Sequence, residues 1–363
     1  MKIHKSTRKY EKWLRKELNV CEADLALKAQ KITEDRCAFL RGTFYRWMQL
    51  FPEVCKKASD APIVLAVGDL HAANFGTWRD AKGQLVWGVN DFDEAAPLPY
   101  TQDLIRLAVS VELASETEEL KIGLEEACEA ILDGYRASLK SNGKPIILDD
   151  EHEWLRNAYN QNEKSAKKFW DKLDQLPDFE TDLPLEARAA LEATLPSKDL
   201  AYRIKRRQAG VGSLGRPRYT ALTEWQGEHI ARETKPLIPS AALWVNKQHK
   251  GAEIYYEEIL ARAVRSLDPI VKVYFGWVVR RLAPDCTRIE LAELGPERDE
   301  KRMLYTMGWE TGNIHLGTPT AVKAVLEDLK NRKKDWLKQA AEKMTAATLK
   351  DWGKWSEKSS IET

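Results

Sequence analysis

One stretch of the chain, residues 63–94, alternates between apolar runs and short polar segments, and it constrains the fold more than any other feature. The run 63–67 is rich in Ile and Val, and its length suits a buried strand. Asp69, His71 and Asn74 then occur within six residues. We therefore expect a strand that leads directly into a compact polar loop.

The residues after this loop predict a β-hairpin. Residues 75–89 alternate as two short strands around a segment with turn-forming residues at 79–83. Because a hairpin reverses the chain direction, Asp91 should return to the neighbourhood of Asp69 and Asn74. Oxygen ligands of this kind suit Mg²⁺, and an Asp beside a metal can accept a proton from a substrate hydroxyl. The alternative is that these residues only form turns.

The spacing Asp69-x4-Asn74, followed by a hairpin and Asp91, resembles the catalytic loop and the metal-binding Asp of the protein-kinase-like superfamily. The wording Gly68-Asp69-Leu70-His71 is closest to that of aminoglycoside and choline kinases. Those kinases usually have His before the Gly, whereas this chain has Val67. The resemblance implies a two-lobed fold that binds ATP and Mg²⁺.

Asp103 is similar to the Asp that opens the next helix in those kinases, and Arg41 lies in an aromatic segment. Arg41 is either a core residue with an exposed head group or a phosphate-binding residue of the active site. A second resemblance covers most of the chain. Four motifs resemble those of the bacterial domain-of-unknown-function family 2252, whose name implies no established substrate. They are Phe39-Leu40-Arg41-Gly42, Gly68-Asp69-Leu70-His71, Asn90-Asp91-Phe92-Asp93-Glu94 and Gly210-Val211-Gly212-Ser213-Leu214-Gly215.

The glycine motif at residues 210–215 is a weak indicator by itself. A dinucleotide-binding fold would require a helix after the glycines. Here Pro217 and a Tyr-Thr pair follow, and they favour a strand. A strand on each side is the kinase arrangement, in which the loop covers the phosphates. The candidate phosphate-binding residues of this loop are Gly210, Gly212, Ser213 and Gly215.

The predicted strand at residues 228–235 should carry the cation that pairs with the ATP phosphates. The resemblance places Arg232 where Lys is usual, and Lys235 lies three residues later. We rank Arg232 slightly ahead of Lys235, and either side chain could instead be a surface charge. The following helix should contain the glutamate that pairs with this cation, either Glu257 or Glu258.

The order of these motifs predicts a circular permutation, because the catalytic loop precedes the glycine loop here and follows it in kinases. A permuted chain can form the same contacts if its new termini lie on the surface. We expect an α+β, protein-kinase-like two-lobed fold with extra helices. Residues 1–198 would form a helical catalytic lobe, residues 199–296 a nucleotide-binding lobe of antiparallel sheet and helix, and residues 297–363 helices that return to the catalytic lobe.

Composition limits the partners that we expect. The 363 residues carry a net charge of +1, which argues against nucleic acid or an anionic membrane as a partner. The five scattered cysteines contain no Cys-x-x-Cys pair, which favours a reducing compartment. No apolar run reaches the ~20 residues that span a bilayer, and no signal sequence is evident. We therefore expect a cytoplasmic protein.

Together these patterns predict an ATP- and Mg²⁺-dependent phosphotransferase acting on a hydroxyl of a small-molecule acceptor. Asp69 would be the base, His71 would orient the loop, Asn74 and Asp91 would hold Mg²⁺, and Asp93 would support or join them. One alternative is a nucleotidyl transferase or an inactive ATP-binding regulator of the same fold. Others are a metal-dependent phosphohydrolase that uses Asp69, His71, Asp91 and Asp93, and a non-enzymatic helical scaffold.

Overall fold

The protein is described by a computed structural model that combines helices with antiparallel strands, and this confirms the predicted α+β class. The structure describes residues 1–115, 120–149, 152–162, 166–179, 181–289 and 299–359. The segment predicted to connect the sheet to the last helices, including the boundary at residue 296, lies outside these described residues.

The first half of the described chain is mostly helical. Its apolar residues recur at helical spacing, so that Tyr10, Trp13 and Leu14 of the first helix are buried on one face. The helices are α1 (Ile3–Glu17), α2 (Glu22–Glu34), α3 (Arg36–Gly42), α4 (Phe44–Val54), α5 (Lys56–Ser59), α6 (Tyr100–Ser115), α7 (Leu124–Ser141), α8 (Glu153–Asn162), α9 (Ala166–Asp174) and α10 (Leu185–Glu192).

Two small antiparallel sheets lie among these helices. Their strands are β1 (Ile63–Ala66), β2 (Phe75–Arg79), β3 (Leu85–Val89), β4 (Ala96–Pro99) and β5 (Ile146–Ile147). β1 pairs with β4, and β3 pairs with both β2 and β5. The β2–β3 register places Phe75 opposite Val89, which confirms the predicted hairpin. The polar loop that follows β1 therefore lies beside the end of the hairpin.

A larger antiparallel sheet forms in the second half of the chain. Its strands are β6 (Arg203–Arg206), β7 (Tyr219–Trp225), β8 (Glu228–Pro236), β9 (Lys272–Tyr274) and β10 (Trp277–Leu282), and the helices between them are α11 (Ala241–Val245) and α12 (Tyr256–Arg262). The strand order is β6-β7-β8-β10-β9. The glycine motif lies between β6 and β7, so it has a strand on each side as predicted.

The position of α9 and α10 corrects the predicted boundary between the first two parts of the chain. Leu173 of α9 packs against Leu222 and Leu282 on one face of the larger sheet. α10 packs against Ala221 and Val279 on the other face. Because successive strand residues point to opposite faces, a sheet with two apolar faces needs a cover on each. These two helices therefore pack on the larger sheet, although the sequence placed them in the part predicted to span residues 1–198.

The last three helices pack on the helices of the first half. They are α13 (Glu300–His315), α14 (Pro319–Asn331) and α15 (Trp336–Ser359). α13 lies along α7, and α15 lies along α6. Within the described part of the chain, no helix has both the length and the apolar character needed to cross a membrane.

The contact between α7 and α13 depends on a glycine in each helix. A Cβ on Gly134 would lie 1.8 Å from the carbonyl oxygen of Tyr305, and a Cβ on Gly308 would lie 2.0 Å from that of Ile131. Real Cβ atoms do not approach a backbone oxygen so closely, so the two helix backbones can touch only where Cβ atoms are absent.

We expect Gly308→Ala to lower the free energy of unfolding by about 1–3 kcal/mol, because the two helices would have to separate. Equilibrium urea unfolding followed by circular dichroism measures this change. Gly353→Ala in α15 is the matched control, since nothing lies within 4 Å of its added Cβ. The control should gain up to about 1 kcal/mol from helix propensity. An equal response of the two variants would contradict the close helix crossing.

Candidate functional site

The loop after β1 is held in shape by the buried carboxylate of Asp103. Its Oδ2 accepts a hydrogen bond from the Val67 N–H at 2.7 Å, and its Oδ1 accepts one from the Gly68 N–H at 3.0 Å. His315 Nε2 lies 3.1 Å from the same carboxylate. Gly68 has a φ of +82°, and a Cβ there would lie 2.2 Å from the Glu94 carbonyl oxygen, so the turn requires glycine.

Asp69 follows this turn and is paired with Arg106 of α6. Arg106 Nε donates to Asp69 Oδ1 at 2.8 Å, and Nη2 contacts the same oxygen. The guanidinium is fully buried and lies over the rings of Phe44 and Trp47. Burial raises the pKa of Asp69, although Arg106 acts in the opposite direction. Arg106 therefore fixes one oxygen of Asp69 and leaves Oδ2 on the side of the glycine loop.

Asn74 connects the polar loop to the end of the hairpin. Its amide nitrogen donates to the carbonyl oxygens of Asp91 at 3.2 Å and Asp69 at 3.4 Å. An amide that donates through nitrogen keeps its oxygen for another partner. His71 is half-buried, and its buried Nδ1 has no hydrogen-bond partner among the described residues. Burial, reinforced by the charge of Arg41, lowers the pKa of His71 well below its usual value, so the ring is neutral.

Lys235 joins the larger sheet to the hairpin. Its Nζ donates to Asp93 Oδ2 at 2.5 Å and lies 3.2 and 3.3 Å from the two carboxylate oxygens of Asp91. Burial would raise the pKa of Asp91, but Lys235 and Arg280 outweigh it and hold that pKa below its usual value. Burial, reinforced by the charge of Asp91, raises the pKa of Asp93, and burial lowers the pKa of Lys235. The structure thus brings Lys235, Asp91 and Asp93 into one hydrogen-bonded cluster.

Arg232 lies on the face of β8 opposite to Lys235, so the structure brings Lys235 and not Arg232 to the hairpin. Its Nε donates to the carbonyl oxygen of Thr194, next to α10, at 3.2 Å. Side chains alternate between the two faces of a strand, so residues three positions apart cannot share a face. Because of this alternation, the sequence by itself indicates that only one of Arg232 and Lys235 can face the polar loop.

The predicted glutamate partner is also corrected. Among the described contacts, Lys235 pairs with the two aspartates of the hairpin and not with Glu257 or Glu258. Glu258 instead pairs with Arg262 on the same helix at 2.9 Å. The carboxylates of Asp91 and Asp93, which follow the hairpin, occupy the position beside the cation.

The glycine loop lies directly over Asp69. Lys28 Nζ donates to the carbonyl oxygen of Gly212 at 3.1 Å. A Cβ on Gly212 would lie 3.1 Å from the Arg41 carbonyl oxygen and 3.4 Å from Asp69 Oδ2. A larger residue at this position would therefore press on both the loop and the carboxylate.

The other candidate residues of this loop surround Gly212. Gly210 and Gly215 lie at its two ends, both with positive φ. Ser213 Oγ accepts a hydrogen bond from Arg218 Nη2 at 2.6 Å. The Ser213 hydroxyl therefore holds the loop against the start of β7. The N–H groups of Ser213 and Leu214 already donate to the carbonyl oxygens of Gly210 and Val211, so an anion would use the other backbone N–H groups of the loop.

Two cavities meet at Asp91 and Gly210, which line both of them. The smaller, of about 70 Å³, contains Asp69, Asn74 and Arg41. The larger, of about 1010 Å³, lies between the hairpin, the inner face of the larger sheet and α9. Its volume is at the upper end of the range for small-molecule pockets. The site thus has a small compartment at the candidate base and a large one beside the sheet.

Sequence reasoning missed several charged residues of this site. Arg216 Nη1 lies 3.4 Å from Asp93 Oδ2, and Nη2 lies 3.1 Å from Glu94 Oε1. Burial raises the pKa of Glu94 to about 7 and lowers that of Lys28 to about 8. Arg216 directly follows the glycine motif, and this adjacency could have identified it. Lys28 and Arg106 come from distant helices, and no local pattern identified them.

The donor set at the hairpin fits Mg²⁺ bound together with phosphate. Asp93 Oδ1 is buried and has no hydrogen-bond partner within the described residues, and Asp91 and Asn74 supply further oxygens. Mg²⁺ commonly takes one or two protein carboxylates, with water and phosphate completing its shell. In the ranges that the structure describes, no three His, Cys, Asp or Glu side chains are grouped to hold a metal alone. The site therefore suits a metal that arrives with a phosphate ligand.

Part of the chain matches a known protein family. Residues 21–176 match the model of a family described as "Uncharacterized protein conserved in bacteria (DUF2252)". This confirms the resemblance to that family over the part of the chain that contains Asp69, Asn74 and Asp91. The matched part ends before the glycine loop and Lys235. Searches of curated proteins and of solved structures found no match.

Proposed function

We propose that this chain is an ATP- and Mg²⁺-dependent phosphotransferase with a circularly permuted kinase-like fold. The observation that supports this most is the cluster of Lys235, Asp91 and Asp93 next to the Asp69–Asn74 loop. In kinases a Lys on the third strand and the metal-binding Asp act on the same phosphates. Lys235 is on β8, the third strand of the glycine-loop sheet, and Asp91 ends the hairpin after the polar loop.

In this proposal, Asp69 accepts the proton of the acceptor hydroxyl. Its free Oδ2 faces the small cavity, and its raised pKa makes it a stronger base than an ordinary Asp. Arg106 keeps the carboxylate in position. Because phosphoryl transfer requires mainly positioning and charge neutralisation, the remaining residues act on the phosphates.

Asn74 and Asp91 would hold Mg²⁺, with Asp93 beside them. When bound, the metal supplies positive charge to the transferred phosphoryl group. Lys235 and the backbone N–H groups of the glycine loop would bind the other phosphate oxygens.

The acceptor is proposed to be a small molecule, because the Gly68-Asp69-Leu70-His71 wording is closest to aminoglycoside and choline kinases. A cytoplasmic location is part of the proposal. All five cysteines are free thiols, as a reducing compartment would maintain them.

One observation favours the alternative of a nucleotidyl transferase or an ATP-binding regulator. Gly212 lies against Asp69 where an acceptor hydroxyl would have to bind, and the cavity there has only about 70 Å³. Mass analysis of the products distinguishes these alternatives, since phosphoryl transfer releases ADP, adenylyl transfer releases pyrophosphate, and a regulator gives neither product.

Mg·ATP is expected to raise the unfolding temperature of the native chain, and Asp91→Asn should abolish this rise. A ligand at 100 times its Kd adds about 2.7 kcal/mol, which corresponds to a few degrees for a chain of this size. Differential scanning fluorimetry at millimolar ATP, with Mg²⁺ or with EDTA, measures the shift. Absence of any rise in the native chain would overturn the proposal.

Two substitutions on one strand provide a matched control. Lys235→Met should weaken the Mg·ATP response, because Lys235 faces the hairpin. Arg232→Met should preserve it, because Arg232 points to α10. A full response in both variants would show that Lys235 does not contact the phosphates.

A further inference from the structure

The proposed transfer assigns no ligand to an arginine cluster in the larger cavity. Arg207, Arg218 and Arg280 surround the single carboxylate of Glu233 on the inner face of the sheet. Arg207 Nη1 lies 2.6 Å from Glu233 Oε2, while Arg218 Nη1 and Arg280 Nη2 each lie 2.7 Å from Oε1. Glu233 is 1% exposed and the Arg218 side chain 4%, whereas the side chains of Arg207 and Arg280 are 29% and 25% exposed, so the cluster is buried at Glu233 and Arg218 and open to the cavity at the other two arginines.

The cluster has more positive charge than its own carboxylate balances. Burial alone would raise the pKa of Glu233, but Arg280, Arg218 and Arg207 hold it well below its usual value, so Glu233 is ionised. Three guanidinium groups around one carboxylate leave an excess of two positive charges. Eight Lys or Arg side chains and three acidic side chains line the cavity as a whole. A buried cationic excess is costly unless an anion compensates it.

An unpartnered donor gives independent evidence for a ligand. Arg218 is 5% exposed, lines the cavity, and its Nε is buried without a hydrogen-bond partner among the described residues. Thr220 lies opposite Glu233 in the β7–β8 register, and its buried Oγ also has no hydrogen-bond partner among the described residues. A buried donor without an acceptor lowers stability. A phosphate group can supply that acceptor, because one guanidinium group can donate to two phosphate oxygens at once.

The cluster is separate from the predicted metal site but close to it. Glu233 and Lys235 are two residues apart on the same face of β8, which corresponds to about 7 Å along a strand. On the opposite wall, Phe169, Leu173 and Leu176 present apolar surface. A ligand that spans this space would have anionic groups at the sheet and an apolar part at α9.

We infer that Arg207, Arg218 and Arg280 form an anion site for a phosphate group, distinct from the site at Lys235 and Asp91. The phosphate belongs either to the extended phosphate chain of the nucleotide or to a phosphorylated acceptor. The identity of its source rests on the proposed function. Binding at the arginines requires neither Mg²⁺ nor Asp91.

Inorganic pyrophosphate in the presence of EDTA is the probe for this site, measured by isothermal titration calorimetry on the full chain. We expect the native chain to bind it, with affinity falling as salt rises. Arg207→Gln should weaken binding by about tenfold or more, since a charge-assisted contact is lost. Glu233→Gln should strengthen binding, because it removes the competing negative charge and keeps an acceptor oxygen.

The opposite signs of these two effects separate loss of the site from loss of the fold. Arg203→Gln is the matched control. Arg203 lies on β6 of the same sheet, but it pairs with Asp174 and does not line the cavity. Asp91→Asn should bind pyrophosphate at least as tightly as the native chain, because it removes a negative charge near Arg218 and Arg280. No binding by the native chain, or equal binding by Arg207→Gln and Glu233→Gln, would overturn the inference.

Competition with Mg·ATP identifies the source of the phosphate. Displacement of pyrophosphate by Mg·ATP would assign the cluster to the nucleotide's own phosphate chain. Simultaneous binding would assign it to a phosphorylated acceptor. If Mg·ATP does not bind at all, the proposed function fails, but pyrophosphate binding and its dependence on Arg207 and Glu233 still decide this inference.

Discussion

Asp69→Asn is expected to retain Mg·ATP binding and to lose phosphoryl transfer by about 10²–10⁴-fold, the usual effect of removing a catalytic base. The amide cannot accept the hydroxyl proton, although it still offers an oxygen to Arg106. ADP formation with a panel of hydroxyl-bearing small molecules measures transfer, and the unfolding shift with Mg·ATP measures binding. A parallel loss of both would show a structural role for Asp69.

The pH dependence of transfer by the native chain gives a second test of this role. Burial raises the pKa of Asp69 above the ordinary value of 3.8. A base acts only when deprotonated, so the rate should fall as pH decreases through this raised pKa, at a higher pH than for an exposed Asp. Asp174→Asn is the control, because Asp174 is exposed and pairs only with Arg203 in the described contacts. The control should keep the native rate and the native profile.

Asp103→Ala is expected to lower the free energy of unfolding by about 3–5 kcal/mol, as for the loss of one partner from a buried ionic network. The carboxylate is fully buried and accepts hydrogen bonds from the N–H groups of Val67 and Gly68. Removing it would leave these groups and His315 without their acceptor. Urea unfolding at equilibrium measures the loss.

The Asp103 prediction also has a functional part. Because the backbone before Asp69 would lose its anchor, Mg·ATP-dependent transfer should decrease even under conditions where the variant is folded. Asp133→Ala on the exposed face of α7 is the control and should change stability by no more than about 0.5 kcal/mol. A loss at Asp103 no larger than that of the control would show that the buried carboxylate does not hold the loop.

The polar loop and the hairpin could be predicted from sequence because they depend on neighbouring residues. Strand alternation, turn-forming residues and a spacing of about 20 residues were sufficient to place Asp91 near Asp69 and Asn74. The strands on both sides of the glycine motif followed from Pro217 and the β-branched residues near it. In each case the energy that selects the conformation is local to the segment.

Long-range packing decided the rest of the site. Because side chains alternate along a strand, Arg232 and Lys235 cannot lie on the same face of β8. Only the packing of α10 on one face determined that Lys235 is the residue that faces Asp91. Lys28 and Arg106 reach the site from helices α2 and α6. The apolar face of a helix shows that it packs on a core, but it does not show which other elements it will contact. Local patterns determine which segments form helices and strands, whereas the pairing of buried charges depends on contacts that arise only when distant elements exclude water together.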